Sequence, residues 1–138
     1  MSVKHMPVTG GCSCGEVRYQ ISEPPINGGY CHCDQCQRAW GGLFSASLLF
    51  NESAFRFTKG EPNYYKSPLA KRGFCDNCGS PTIFVYDGDN KVWVLIGSLD
   101  YPGDWPFNKE GWFGHYYLED KVPWEEIHDD LPKHQKQG

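Results

Sequence analysis

Apolar and polar residues alternate over several short runs of the chain. Val17, Tyr19 and Ile21 are separated by polar side chains, which is the period of two that indicates a strand with one buried face. Pro24 and Pro25 should stop this strand, and the Asn-Gly-Gly sequence at 27–29 predicts a turn. Other apolar or alternating runs predict further strands, over residues 43–50, 55–58, 64–67, 82–86, 92–96 and 111–118.

Turn and helix signals complete the predicted architecture. Residues 87–90, Asp-Gly-Asp-Asn, should close a hairpin between two of these strands. We expect a cysteine knuckle over 33–36 that continues as a short helix over 37–40 and ends at Gly41 and Gly42. One helical turn over 124–128 should have Pro123 at its first position. The pattern therefore predicts an all-β fold of two or three small antiparallel sheets with short helical turns.

The chemistry is concentrated in cysteine. All seven cysteines fall into three groups, which are Cys12 and Cys14, then Cys31, Cys33 and Cys36, then Cys75 and Cys78. C-x-C and C-x2-C spacings bring two thiolates to one ion, about 2.3 Å from each sulfur. We expect the first pair to open the strand that contains Val17, with both sulfurs on one face. Zinc is the default metal, because no cysteine run typical of iron–sulfur ligation appears.

A disulfide scaffold is the alternative, and composition does not favour it. The cysteine count is odd, the chain has 138 residues, and its first residues contain no apolar core of a signal peptide. Free thiolates instead indicate a reducing compartment, so we expect a cytoplasmic protein. The net charge of −4 and the lack of a basic run argue against nucleic-acid binding. No apolar segment approaches the roughly 20 residues that cross a bilayer, so no membrane partner is expected.

The length predicts one domain over residues 10–132. An N-terminal arm over 1–9 should precede it, and a polar, frayed tail over 133–138 should follow it. Further motifs accompany the cysteine groups along this stretch, namely Gly11–Gly15, Val17–Tyr19, Cys31–Cys36, Phe74–Ser80, Gly97–Asp100, His115, Lys121–Trp124 and Asp130–Pro132.

On these motifs the chain resembles the glutathione-dependent formaldehyde-activating enzyme family, which shares a domain with centromere protein V. The resemblance implies a β-tent-like zinc-binding fold with two zinc ions per chain. It assigns a structural zinc to Cys12, Cys14, Cys75 and Cys78, and a catalytic zinc to Cys31, Cys33 and Cys36. Four thiolates close a tetrahedral site, whereas three leave a position open. The chain departs from the expected pattern at Gln37, where a basic residue is usual, and at Trp40–Gly42, which is bulkier than usual.

The resemblance implies a carbon–sulfur lyase that acts on an adduct of a thiol and an aldehyde. The expected reaction is the formation of S-hydroxymethylglutathione from glutathione and formaldehyde, or the formation of a related thiol adduct. Because glutathione is anionic, Arg38 and Arg72 are candidate substrate-binding residues, together with Trp40. Two alternatives stay open: a second structural zinc whose fourth ligand is Asp34 or His115, and a non-catalytic zinc-binding protein-interaction module. We expect His32, which lies between two ligands, to point away from the metal, and His115 to be a half-buried histidine with satisfied hydrogen bonds.

Overall fold

The computed structural model describes residues 6–101 and 111–137, and within these stretches it contains ten strands in two sheets and one short α-helix. The all-β prediction is confirmed. In chain order the strands are β1 (Val8–Gly11), β2 (Arg18–Ile21), β3 (Asn27–Cys31), β4 (Ser45–Asn51), β5 (Phe55–Lys59), β6 (Asn63–Lys66), β7 (Ala70–Phe74), β8 (Pro81–Tyr86), β9 (Lys91–Leu95) and β10 (Phe113–Tyr116), and the helix is α1 (Asp34–Trp40).

The described residues fall into two compact units. The first comprises 6–26 and 48–101, and the second comprises 27–47 and 111–137. The single domain over 10–132 stays a prediction. No helix among the described residues has the length and apolar character needed to cross a membrane.

In the first unit, β1, β2 and β5 form an antiparallel three-stranded sheet in the order β1-β2-β5. Tyr19 and Ile21 on β2 are buried while Arg18 and Gln20 are partly exposed, as the period of two predicts. Strand β1 begins at Val8, inside the segment expected to be an arm, because this valine is buried opposite Ile21.

The first unit also contains the antiparallel strands β6 to β9, in the order β9-β8-β7-β6. The predicted hairpin is confirmed, since β8 and β9 are joined by the turn over 87–90, in which Gly88 has a φ of 74°. Buried side chains on these strands, Ile83 and Val94 among them, form the core together with Leu48 and Phe50 of β4.

In the second unit, β3 pairs in parallel with β10. The predicted turn over 27–29 is therefore wrong. Gly29 serves close packing instead, because a Cβ there would lie 2.5 Å from the carbonyl oxygen of Gly114 and 2.5 Å from the ring of Tyr116. Glycine in a strand interior commonly marks such an approach of a second backbone.

The predicted short helix is confirmed, but α1 already begins at Asp34, within the expected knuckle. Cys33 caps its N-terminus by accepting a hydrogen bond from the Cys36 amide, and Gly41 ends it in the left-handed conformation. The predicted helical turn over 124–128 is wrong. Glu125 closes a turn on the carbonyl of Val122 at 3.1 Å, and the Lys121 ammonium donates to the Glu125 carbonyl, which would otherwise accept the next helical bond.

The last residues of the second unit, where fraying was expected, make backbone hydrogen bonds. His134 donates to the carbonyl of His115 at 2.9 Å, and the amide of Tyr117 donates to Lys136 at 2.9 Å. The polar side chains of this segment gave no indication of these bonds, because they are made by the backbone.

Candidate functional site

The four-cysteine cluster lies in the first unit, where two turns meet. Cys12 and Cys14 occupy the turn between β1 and β2, and Cys75 and Cys78 the turn between β7 and β8. Their four sulfurs lie within 4.8 Å of one another, with Cys14 Sγ 3.6 Å from Cys12 Sγ and 3.8 Å from Cys75 Sγ. Sulfurs about 2.3 Å from a tetrahedral ion lie about 3.8 Å apart, so this donor set can hold a metal ion. The expected strand at Cys12 is wrong, because Gly15, with a φ of 83°, bends the backbone into a turn.

Hydrogen-bond donors lie beside Cys12, Cys14 and Cys78, and at Cys78 they favour the thiolate form. The Val17 amide donates to Cys12 Sγ at 3.3 Å, and the Asn77 side chain donates to Cys14 Sγ at 3.3 Å. The Ser80 hydroxyl, 3.1 Å from Cys78 Sγ, and the Ser80 backbone lower the pKa of Cys78 to about 6. A thiolate is the form that ligates a metal, so the residues around the cluster also favour metal binding.

The three-cysteine cluster lies in the second unit, where β3 leads into α1. Cys31 is the last residue of β3, Cys33 caps the N-terminus of α1, and Cys36 lies within α1. The connection from the strand to the helix therefore carries all three cysteines. The sulfurs lie within 4.8 Å of one another. Hydrogen bonds from the Cys31 and Cys36 thiols lower the pKa of Cys33, which favours its thiolate form. Three sulfurs this close together can also hold a metal ion.

No fourth histidine, cysteine or carboxylate within residues 6–101 and 111–137 joins this set of three. The candidates named from the sequence are engaged elsewhere. Asp34 pairs with Arg38 at 3.3 Å on the helix surface. His115 places Nδ1 2.9 Å from His32 and Nε2 2.8 Å from Asp129. Among the described residues, the possible metal ligands at this site are thus the three thiols, and neither Asp34 nor His115 adds a fourth.

A buried histidine pair lies beside the three thiols. His32 is 0% exposed and His115 is 4% exposed. As expected, His32 is turned to other partners: its Nε2 contacts His115, and its Nδ1 lies 3.7 Å from the carboxylate of Glu125. Burial, then the nearby His115, lowers the pKa of His32 to about 4, so this ring is neutral at pH 7. Sequence reasoning missed Asp129 and Glu125, which lie far from the cysteines in sequence and within no recognisable spacing.

Gln37 joins the cysteine loop to the turn that follows β10. Its side-chain amide donates to the carbonyl of His32 at 2.8 Å and to the carbonyl of Asp120 at 2.9 Å. Asp120 lies in a 3₁₀ turn over Leu118–Asp120. Gln37, where a basic residue was expected, thus has a structural role, because its one amide group makes both hydrogen bonds.

The three residues proposed for substrate binding lie on two different elements of the fold. Arg38 and Trp40 lie on α1 with Cys36, and the Arg38 side chain is 81% exposed. Arg72 is buried on β7 in the first unit, with its guanidinium carbon 5.3 Å from the centre of the Phe84 ring. A substrate role for any of the three stays a prediction.

Tyr117 is a neighbour of the three thiols that the sequence did not indicate. It directly follows β10, where Tyr116 is in register with Cys31 and accepts a hydrogen bond from the His32 amide at 2.9 Å. Burial, then the charges of Cys31 and Cys33, raises the pKa of Tyr117. Its backbone has a φ of 58°, a conformation that no local sequence signal predicts for tyrosine.

Comparison with known proteins identifies relatives of the chain. Residues 7–115 match the family described as glutathione-dependent formaldehyde-activating enzyme. An uncharacterized lyase of Schizosaccharomyces pombe is 28% identical over 88 residues, which are 62% of this chain and 63% of that protein, so the match spans less than two thirds of that relative. A Halomonas elongata protein, provisionally named as a glutathione-dependent formaldehyde-activating enzyme, is 28% identical over 133 residues, covering 88% of this chain and 82% of that protein.

A solved structure shares the fold. The crystal structure of a Rhodobacter sphaeroides protein superposes with a TM-score of 0.57 at 23% identity, over 70% of this chain and 91% of that one. At this identity the likeness supports the fold alone.

Proposed function

The chain belongs to the glutathione-dependent formaldehyde-activating enzyme family, and from this premise we propose that it is a zinc-dependent carbon–sulfur lyase. Its reaction is the reversible addition of the glutathione thiol to formaldehyde, giving S-hydroxymethylglutathione, or the same addition with a related thiol. The family, the relative named as a lyase and the relative named as a glutathione-dependent formaldehyde-activating enzyme support this proposal. The single observation that carries it is the three-thiol cluster, to which no further described ligand contributes.

We assign the two clusters different roles. The four-thiol set, Cys12, Cys14, Cys75 and Cys78, would hold a structural zinc, because four thiolates leave no position for a substrate. The three-thiol set, Cys31, Cys33 and Cys36, would hold the catalytic zinc. An ion bound there would supply an open position where a substrate thiol binds as its thiolate.

The surrounding residues prepare this site. Cys33 is held by the Cys36 amide at 3.3 Å, so the cap of α1 fixes the position of one sulfur relative to another. Gln37 fixes the loop that carries them. Arg38, whose exposed pairing with Asp34 is weak, can exchange that carboxylate for a carboxylate of glutathione. Free thiols require a reducing compartment, for which we propose the cytoplasm.

Metal analysis followed by thiol titration tests this function. We expect two zinc ions per chain, and a cobalt-substituted protein whose thiolate absorption rises when glutathione is added. S-methylglutathione, which has no thiol, is the matched control and should leave the spectrum unchanged. Formaldehyde consumption by the zinc protein in the presence of glutathione should exceed the uncatalysed rate. If no small thiol changes the spectrum, the lyase proposal is wrong and the protein-interaction module gains support.

A further inference from the structure

The backbone of Tyr117 is exceptional in this molecule. Among residues 6–101 and 111–137 it is the one non-glycine residue with a positive φ, at 58°. The left-handed region is strained for an aromatic residue, whereas glycine or asparagine adopts it readily. Such strain persists where the surroundings enforce it, and it is concentrated at functional sites. The retention of a tyrosine here therefore needs an explanation in terms of its side chain.

Contacts on both sides enforce this conformation. The Tyr117 amide donates to the carbonyl of Lys136 at 2.9 Å, and the next amide, of Leu118, donates to His134 at 3.1 Å. The following turn is held by Gln37, which donates to Asp120 at 2.9 Å. The backbone is thus fixed without any help from the phenol ring of Tyr117.

The Tyr117 hydroxyl is free to act on a ligand. In the part of the chain that the structure describes, it makes no hydrogen bond, whereas the hydroxyl of the neighbouring Tyr116 donates to the carbonyl of Trp112 at 3.1 Å. The register of β10 with β3 places Tyr117 beside the loop that carries Cys31 and Cys33. Its side chain is half-buried, so solvent reaches it only in part.

The other polar side chains around the three thiols are either occupied or buried. Among the described residues, Nδ1 of His32 and the hydroxyl of Ser45 make no hydrogen bond, but both atoms are buried. The side-chain nitrogen of Gln37 donates to two carbonyls. The carboxyl group of Asp34 is paired on the helix surface. Of these neighbours, Tyr117 is the one whose side chain makes no hydrogen bond within the described part of the chain and is partly exposed.

We propose that the Tyr117 hydroxyl donates a hydrogen bond to the aldehyde oxygen while the carbon–sulfur bond forms; this inference rests on the proposed function. The glutathione thiolate sulfur attacks the carbonyl carbon, the C–S bond forms, and the π-electron pair moves to the oxygen. The developing oxyanion accepts the hydrogen bond from Tyr117. The oxygen then takes from solvent the equivalent of the proton that the thiol released, giving the hydroxymethyl group.

The chemistry of tyrosine suits this role. The phenol has an ordinary pKa of about 10, so it is protonated at neutral pH and can donate. A donor that is already oriented towards a developing oxyanion stabilises the transition state more than the ground state, and such donors contribute strongly to catalysis. The enforced backbone restricts the positions that the phenol ring can take before the substrate binds.

The test compares Tyr117→Phe with Tyr116→Phe. Each substitution removes one hydroxyl and keeps the ring. We expect Tyr117→Phe to lower kcat about 100-fold, whereas its metal content and its glutathione Kd, measured by calorimetry, stay within twofold of the wild type. Tyr116→Phe should keep kcat within a few-fold, because its hydroxyl donates to the backbone carbonyl of Trp112.

The outcomes separate the two proposals. If the wild type binds glutathione but does not accelerate its reaction with formaldehyde, the proposed function fails and this inference fails with it. If the wild type is active and Tyr117→Phe retains more than half of its kcat, the inference is wrong while the proposed function stands. A parallel loss of metal or of glutathione affinity in Tyr117→Phe would also overturn the inference, because it would show a structural role.

Discussion

Replacing His115 by leucine should destabilise the fold by about 2–4 kcal/mol. His115 is 4% exposed and bridges His32, at 2.9 Å, to Asp129, at 2.8 Å. Leucine occupies a similar volume but offers neither nitrogen. His32, 0% exposed, would then keep an unsatisfied ring nitrogen, which costs about 1–3 kcal/mol. The lost bond to Asp129 adds about 1 kcal/mol, because that carboxylate is partly exposed and water can replace the histidine.

Thermal and urea unfolding at a fixed zinc concentration would measure this cost. For a chain of this size, about 4 °C of Tm corresponds to 1 kcal/mol, so Tm should fall by about 8–16 °C. Asp129→Asn is the matched control, because asparagine keeps a polar partner for His115 and should cost about 1 kcal/mol or less. If His115→Leu costs less than 1 kcal/mol, or no more than Asp129→Asn, the buried histidine pair does not stabilise the fold as argued.

Three further predictions concern the metal clusters, an ion pair and a close contact between strands. Cys75→Ser should give unfolded or insoluble protein, because a structural metal contributes folding free energy directly. Cys36→Ser should instead stay folded, with one zinc ion and no activity. Circular dichroism and metal analysis distinguish these outcomes, and unfolding of Cys36→Ser would support a second structural site. The hydrogen bond from Arg18 lowers the pKa of Asp100, so the pair stabilises the fold above pH 3.8 and loses this contribution as the pH falls through the lower folded-state value. Asp100→Asn should therefore cost about 0.5 kcal/mol in urea unfolding at pH 6 and progressively less as the pH falls below 3.8. A cost that does not decrease over this range would contradict the shift. Gly29→Ala should cost about 1–3 kcal/mol, because its Cβ would meet the opposing backbone, and an unchanged Tm would show that β3 and β10 can separate.

Local patterns in the sequence determined the features that depend on near neighbours in the chain. The alternation around Tyr19 and Ile21 was sufficient to predict β2, since period two places such residues on one face. Helix α1 and its end at Gly41 followed from short-range capping chemistry. The three cysteine groups indicated a metal from spacing alone, and the resemblance supplied their division into four and three. The structure brings together the same two sets.

Tertiary structure decided the features that join distant residues. Gly28 and Gly29 suggest a turn in isolation, but they lie in a strand, and β10 packs so closely against Gly29 that a Cβ there would clash. The pairing of His32 with His115 joins residues 83 positions apart, and no local period encodes such a contact. Tyr117 is held in a strained conformation by the carbonyl of Lys136 and the turn that follows it. The left-handed conformation of Tyr117 could not be predicted from the sequence. Its strain is offset by hydrogen bonds to residues distant in the chain, which form only when the chain folds.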